Sequence, residues 1–175
     1  MRSIINQGLG YGFAIALSLL PGWAAQAQGA APDGAAAVSC PGGGVPGTIT
    51  VTESLLEPRH ASIAAELKSA QRCVLTKEAD AEAWKVYLVA HLNRAPGAEE
   101  VNIVFYEQVP PVPGRVREPV QAYPIPIRRD AKVTLASLEI KPEDGFKVGH
   151  KYEIRLTRLI NGREDVYART TLELK

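Results

Sequence analysis

The sequence has almost no net charge, and this scarcity limits what the protein can bind. Its 175 residues hold 20 Lys and Arg against 19 Asp and Glu, a formal net charge of +1. A dedicated nucleic-acid binder needs a basic excess to neutralise phosphates, so we expect no nucleic-acid partner. A hydrophobic fraction of 46% is ordinary for a folded protein, and the length fits one domain with a tail.

The amino-terminal stretch lacks charge of either sign. Arg2 is the only charged residue before Asp33, and the run over residues 9–20 is apolar but too short to span a bilayer comfortably. A small-residue Ala-Gln-Ala triplet follows and ends at Ala27. A charged start, a short apolar middle and such a triplet predict a secretory signal peptide over residues 1–27. We therefore expect export to the periplasm or the cell surface, with no transmembrane segment after cleavage.

Cysteine is also scarce, since Cys40 and Cys73 are the only two. An exported protein keeps disulfides, and neither a CxxC pair nor a zinc-type Cys/His spacing is present. We predict one structural bridge, which closes a loop of roughly 34 residues and contributes about 3–4 kcal/mol. It would pin a flexible Gly, Ala and Pro leader over residues 28–47. Lipidation of Cys40 is the alternative, because residues 37–40 loosely resemble a lipobox.

Alternating apolar and polar residues recur along the chain and predict β-strands. Pro124 and Pro126 interrupt one such segment, which we expect at a sheet edge because proline removes ladder donors. Apolar residues at steps of four, three and four predict an amphipathic helix over about residues 59–75. Seven segments carry the strand pattern: residues 48–53, 84–93, 101–106, 123–127, 133–140, 152–157 and 166–174.

One of these segments carries a further pattern. Phe146 and Gly149 precede Tyr152, which begins a strand with Ile154 and Leu156 as inward residues. This arrangement resembles the approach to the sixth strand of fibronectin type III and related immunoglobulin-like domains, over about residues 84–175. The resemblance implies an antiparallel sandwich of about seven strands, here with an inserted helix, forming one domain over residues 48–175. It also implies a tyrosine corner, in which the Tyr152 hydroxyl bonds the backbone upstream.

Motifs for catalysis and cofactor binding are missing from the sequence. The three histidines form neither an H-E-x-x-H motif nor an i, i+4 pair, and no serine lies in a G-x-S-x-G elbow. The glycine run at residues 42–44 is not followed by Gly-Lys-Ser/Thr, so it is not a phosphate loop. We therefore expect no catalytic residues, no metal and no cofactor.

Two surface features suit contact with a partner, although a stiff loop and an exposed turn are the ordinary interpretations of them. The first is a proline-rich stretch suited to a polyproline-like recognition strip, and the second is a small basic cluster between two predicted strands. Tyrosines with exposed ring faces would suit the same role. The candidate contact residues are Pro110, Pro111, Pro113, Arg128, Arg129 and Lys132.

Three functions fit this sequence. The leading hypothesis is an exported, non-enzymatic β-sandwich that binds another cell-envelope component or a surface ligand. The second is a self-associating subunit of a fibre or envelope assembly, in which the strand at residues 48–53 pairs with a neighbour's sheet edge. The third is a secreted enzyme with a loop-borne site.

Overall fold

The computed structural model describes residues 40, 42–57, 59, 63–110 and 116–175. The predicted signal peptide lies outside these residues, as does most of the predicted leader. The described part of the chain is mostly β, and buried and less buried residues alternate most clearly over residues 151–156, as their sequence predicts.

The described residues form eight strands and one α-helix. Seven of the strands confirm the segments predicted by alternation, and the eighth is a two-residue strand that the sequence did not indicate. A short 3-10 turn lies at Pro142–Asp144. In chain order the elements are β1 Thr48–Thr52, α1 Ala64–Ala70, β2 Val74–Leu75, β3 Trp84–His91, β4 Glu100–Glu107, β5 Gln121–Pro126, β6 Val133–Ile140, β7 Lys151–Ile160 and β8 Arg163–Leu174.

All eight strands belong to one hydrogen-bonded sheet, which is nearly closed on itself. Its order is β5-β4-β7-β8-β1-β3-β6, with β2 beside β8. The expected all-antiparallel arrangement is wrong at two places, since β1 and β2 both run parallel to β8. The strands also form one curled sheet and not the two stacked layers expected of a sandwich. Alternation shows only that each strand has one buried face, and a single curled sheet buries that face as well as two stacked sheets do.

The helix is shorter than its sequence pattern predicts. It begins at Ala64 and ends at Ala70, so it stops before Cys73. Val74 and Leu75, expected in the helix, instead pair in parallel with the end of β8. Pairing at the sheet therefore outweighs the helical spacing of the apolar residues, and valine and cysteine are poor helix formers in any case.

The interior of the curled sheet is the main core, and Tyr152 lies fully buried in it. The Tyr152 hydroxyl accepts a 2.7 Å hydrogen bond from the N–H of Lys147, which lies five residues upstream of it. A tyrosine corner has such a bond between the tyrosine hydroxyl and the upstream backbone. A second, smaller core lies on the outer face, where Leu67 of α1 and Val89 of β3 are buried. Half-buried residues complete this outer core, namely Leu56, Val133 and Leu135.

The predicted disulfide is confirmed. Cys40 and Cys73 are bonded, with their Cα atoms 5.4 Å apart. The bridge ties residue 40 to the segment between α1 and β2, close to β1, whose residue Thr52 forms a β-bridge with Gln71.

The strand considered for donation to a neighbour is docked in its own chain. Each residue of β1 is paired antiparallel with β3, and Thr48 also pairs with Arg169 of β8 on the other side. Residues 49–52 are all buried. To reach another molecule, β1 would have to leave the middle of the sheet and expose this buried surface.

Candidate functional site at the free edge of strand β6

The sheet does not close completely, and its two terminal strands are β5 and β6. Among the described residues each has only one strand partner, β4 for β5 and β3 for β6. The loop over residues 127–132 joins the two strands at one end. Each strand therefore has one edge where no described strand is bonded. The two edges differ in the backbone hydrogen-bonding groups that they leave free.

The edge of β6 is rich in hydrogen-bonding groups. The Leu92 N–H donates to the Lys132 carbonyl over 2.9 Å, and the β3–β6 register then continues without a shift to Ile140. Because hydrogen-bonding direction alternates along an antiparallel strand, even-numbered residues of β6 bond β3 and odd-numbered residues face away from it. The free edge thus carries four N–H and four C=O groups with no backbone partner in the described chain, from Val133, Leu135, Ser137 and Glu139.

The edge of β5 carries almost no donors. The Ile127 N–H donates to the Glu99 carbonyl over 2.9 Å, so odd-numbered residues of β5 bond β4 and even-numbered residues face the free edge. Two of those even-numbered residues are Pro124 and Pro126, which have no N–H. The third is Ala122, whose N–H donates 3.1 Å to the side-chain oxygen of Gln121. This edge is therefore blocked as an acceptor of a new strand, and the prediction of an edge strand here is confirmed.

The two free edges border one apolar opening. Ile125 of β5 and Thr134 and Ala136 of β6 line the same small void in the core. The loop over residues 127–132 closes one end of the opening. At the other end the Tyr123 hydroxyl donates to Asp144 Oδ2 over 3.5 Å. Burial, together with the Asp144 carboxylate, raises the pKa of the Tyr123 hydroxyl to about 12.

Charge is unevenly distributed along the β6 edge. The predicted basic cluster lies at the start of the strand, where Arg128 pairs with Asp130 at 3.0 Å and Arg129 pairs with Glu99 at 3.2 Å. The hydrogen bonds from Arg128 hold the pKa of Asp130 below its ordinary value. Lys132 is exposed, and no described residue forms an ion pair with it. At the far end of the strand Glu139 is exposed and likewise has no ion-pair partner in the described ranges.

The structure does not bring the two sets of predicted contact residues together. Pro110 is exposed and follows the end of β4, whereas Arg129 pairs with Glu99 just before β4 begins. The proline-rich stretch and the basic cluster thus lie toward opposite ends of an eight-residue strand. Pro111 and Pro113 lie outside the described residues.

A compact charged network holds the end of the proline-rich stretch on the sheet. The guanidinium groups of Arg117 and Arg155 lie over the ring of Tyr106, with their carbons 5.3 and 4.6 Å from its centre. Arg155 bonds Glu153 and Glu164, and Arg117 bonds Glu153 and backbone carbonyls of β4. The charges of this network are paired with one another, and Arg117 is thereby bonded to both β4 and β7.

A hollow of about 460 Å³ lies beside β2 and β3 and is lined by Trp84 and Lys77, whose ammonium nitrogen is 5.8 Å from the ring centre. The described residues contain no group of three or more His, Cys, Asp or Glu placed to hold a metal ion.

No helix among the described residues combines the length and the apolar character needed to cross a bilayer.

Comparison with known proteins gives no relative: no family model, no curated protein and no solved structure matches the chain.

Sequence reasoning found the blocked edge but missed the open one. Pro124 and Pro126, two residues apart in an alternating segment, were a sufficient signal for β5. The segment at residues 133–140 has no proline or glycine and reads as an ordinary strand. Only the strand order reveals that β6 is terminal, and strand order is set by contacts between distant segments.

Proposed function

We propose that the protein is an exported, non-enzymatic β module that binds another component of the cell envelope by accepting an extended segment at the free edge of β6. The observation that carries the proposal is the difference between the two sheet edges. One terminal strand has its outward donors removed or occupied, whereas the other presents four N–H and four C=O groups that no described backbone group bonds. Strand addition uses such an edge, with the ladder giving affinity.

The basic cluster and the disulfide support the rest of the proposal. Arg128, Arg129 and Lys132 lie at the start of β6, so a partner on this edge would meet them. The disulfide between Cys40 and Cys73 fits an oxidising compartment outside the cytoplasm. The signal-peptide pattern supports export, and the Tyr152 hydrogen bond supports kinship with fibronectin type III domains.

An unblocked edge of this length is unusual in a protein that stays alone. Exposed strand edges pair readily with other chains, and natural proteins blunt them with proline, charge, bulges or a covering segment. The β6 ladder has no bulge, and its only outward-facing charged residue is Glu139. We therefore interpret the edge as a binding surface, occupied when the partner is present.

Site-specific photo-crosslinking in the source cell tests the proposal. A photoreactive phenylalanine analogue replaces Ser137 on the open edge, and in a matched control it replaces Ala122 on the blocked edge. Both positions are exposed strand residues whose N–H faces outward. We expect a discrete adduct with another envelope protein from position 137 and none from position 122.

Two results would overturn the proposal. Equal adducts from the two positions would show that the edges do not differ. An adduct at twice the mass of the chain would show that the edge binds a second copy, and thus favour the self-associating subunit. Glu139→Pro, which removes one outward N–H at an exposed position of β6, should weaken the adduct from position 137.

A further inference from the structure

We infer, on the basis of the proposed function, that the segment accepted by β6 is apolar on both of its faces. Its side chains form a nearly continuous apolar run, unlike the alternation of apolar and polar residues in a strand with one wet face. Both hydrophobic cores are incompletely covered at β6, one on each face of the strand, and this observation carries the inference. Either direction of the partner satisfies it, because side chains alternate between the two faces of any strand.

The main core lacks full cover on the inner face of β6. The half-buried apolar residues packed against this core all lie on β5, on β6 or in the chain directly next to them. They are Val120, Tyr123, Ala131, Ala136 and Leu138. Of these, Ala136 and Leu138 belong to β6, and Ala136 also borders the small void. A strand bonded to β6 places its inner-face side chains beside these two residues, and apolar side chains there would exclude water from this part of the core.

The outer core is also open toward the free edge of β6. Among the half-buried residues that complete it, Val133 and Leu135 are outer-face residues of this strand. Leu135 lies opposite Val89 of β3, which is fully buried, so the cover of the outer core ends at β6. A partner side chain next to Leu135 on the outer face would extend this core by one strand, and it gains from apolar or β-branched character.

The two faces together define the chemical class of the partner. Half-buried apolar residues occur on both faces of β6 within residues 133–138. Charge contributes little here, since Glu139 is the one charged residue of β6 and lies opposite Lys85 in the β3–β6 register. Strands with two covered faces are near-continuous apolar runs rich in β-branched residues. The partner is therefore an extended segment with a run of about four to six such residues.

Two peptides of one composition test this inference on the full chain. Each has two Val, two Ile, four Ser and a Lys at both ends, with a fluorophore on the amino end and an amide at the carboxyl end. In the first peptide the four apolar residues are consecutive, and in the second they alternate with Ser. The first peptide can cover both faces of β6, whereas the second can cover only one. Fluorescence anisotropy should give about tenfold tighter binding of the first peptide, because it makes two additional cross-strand apolar contacts.

Variants on single faces show which contacts produce this preference. Val133→Thr changes the outer face of β6 and Leu138→Thr changes the inner face, so each should weaken binding of the first peptide about threefold. The second peptide meets one face and should respond to one of the two variants. Val166→Thr, a similar change at a half-buried residue of β8, is the control and should alter neither affinity.

The possible results separate this inference from the proposed function. Equal binding of the two peptides, or tighter binding of the second, would overturn the two-faced apolar partner. If Glu139→Pro then weakens both peptides alike, strand addition at β6 still stands. Binding of neither peptide would also overturn the inference, and if position 137 gives no adduct, the proposed function falls with it. A dimer in sedimentation velocity that Glu139→Pro dissociates would identify a second copy as the occupant and overturn both.

Discussion

The two terminal strands of this sheet show opposite treatments of an exposed edge. In β5 the outward-facing positions are Ala122, Pro124 and Pro126, so two donors are missing and the third is bonded by Gln121. In β6 the corresponding positions keep every N–H and C=O group. Both strands bury one face in the same core, so the difference does not come from packing. The two edges differ in which backbone N–H and C=O groups remain free to bond another strand. Strand addition depends on those free groups.

The largest effect is expected from introducing a proline into β6, where the loss of stability should depend on which of two neighbouring positions receives it. Ala136→Pro removes an N–H that bonds β3 and leaves a carbonyl of that strand without its donor, so the free energy of unfolding should fall by about 1–3 kcal/mol. Ser137→Pro removes an outward N–H and should cost less than about 1 kcal/mol. Urea denaturation followed by circular dichroism measures both. Equal losses would mean that the register assigned to β6 is wrong.

A smaller effect is expected from opening the blocked edge. Pro124→Thr together with Pro126→Thr restores two outward donors on β5, each worth about 0.5–1.5 kcal/mol in a new ladder bond. The double variant should self-associate at lower concentration than the natural chain, as read by sedimentation velocity. Pro142→Ala, at an exposed proline outside the strands, is the control and should change nothing. An unaltered association state in the double variant would argue that proline is not what blocks β5.

The smallest effect concerns the contact that closes the far end of the opening. The pKa of Tyr123, raised by burial and by Asp144, lies at about 12 against an ordinary value near 10. The folded state therefore favours the neutral phenol, and its contribution is present below pH 10 and is lost as the pH rises toward 12. Stability measured between pH 9 and 12 should fall more steeply in the natural chain than in Tyr123→Phe. Parallel curves would remove the role given to this contact.

The sequence allowed the positions of the long strands to be predicted because alternation is a local property. Trp84–His91 and Lys151–Ile160 fall within one to three residues of the segments expected from their pattern. The end of the helix was wrong because Val74 satisfies a helical spacing and a strand pairing equally well. Its partner Glu173 lies about a hundred residues away, and no local pattern reports such a contact.

The same limit applies to the candidate site. Cys40 and Cys73 could be paired from their number alone, and Pro124 and Pro126 marked an edge without any knowledge of its neighbours. The open edge of β6 is a property of the whole strand order, since it depends on which strand is last. The basic cluster at Lys132 was visible in the sequence, but its place beside that edge was not.

Amide hydrogen exchange along β6 tests the central claim most directly. We predict an alternation in the free chain, in which the outward amides of Leu135 and Ser137 exchange at least about a hundredfold faster than those of Ala136 and Leu138, which bond β3. Uniform slow exchange through residues 133–140 would show that the edge is already covered, and the account of an open acceptor strand would be contradicted.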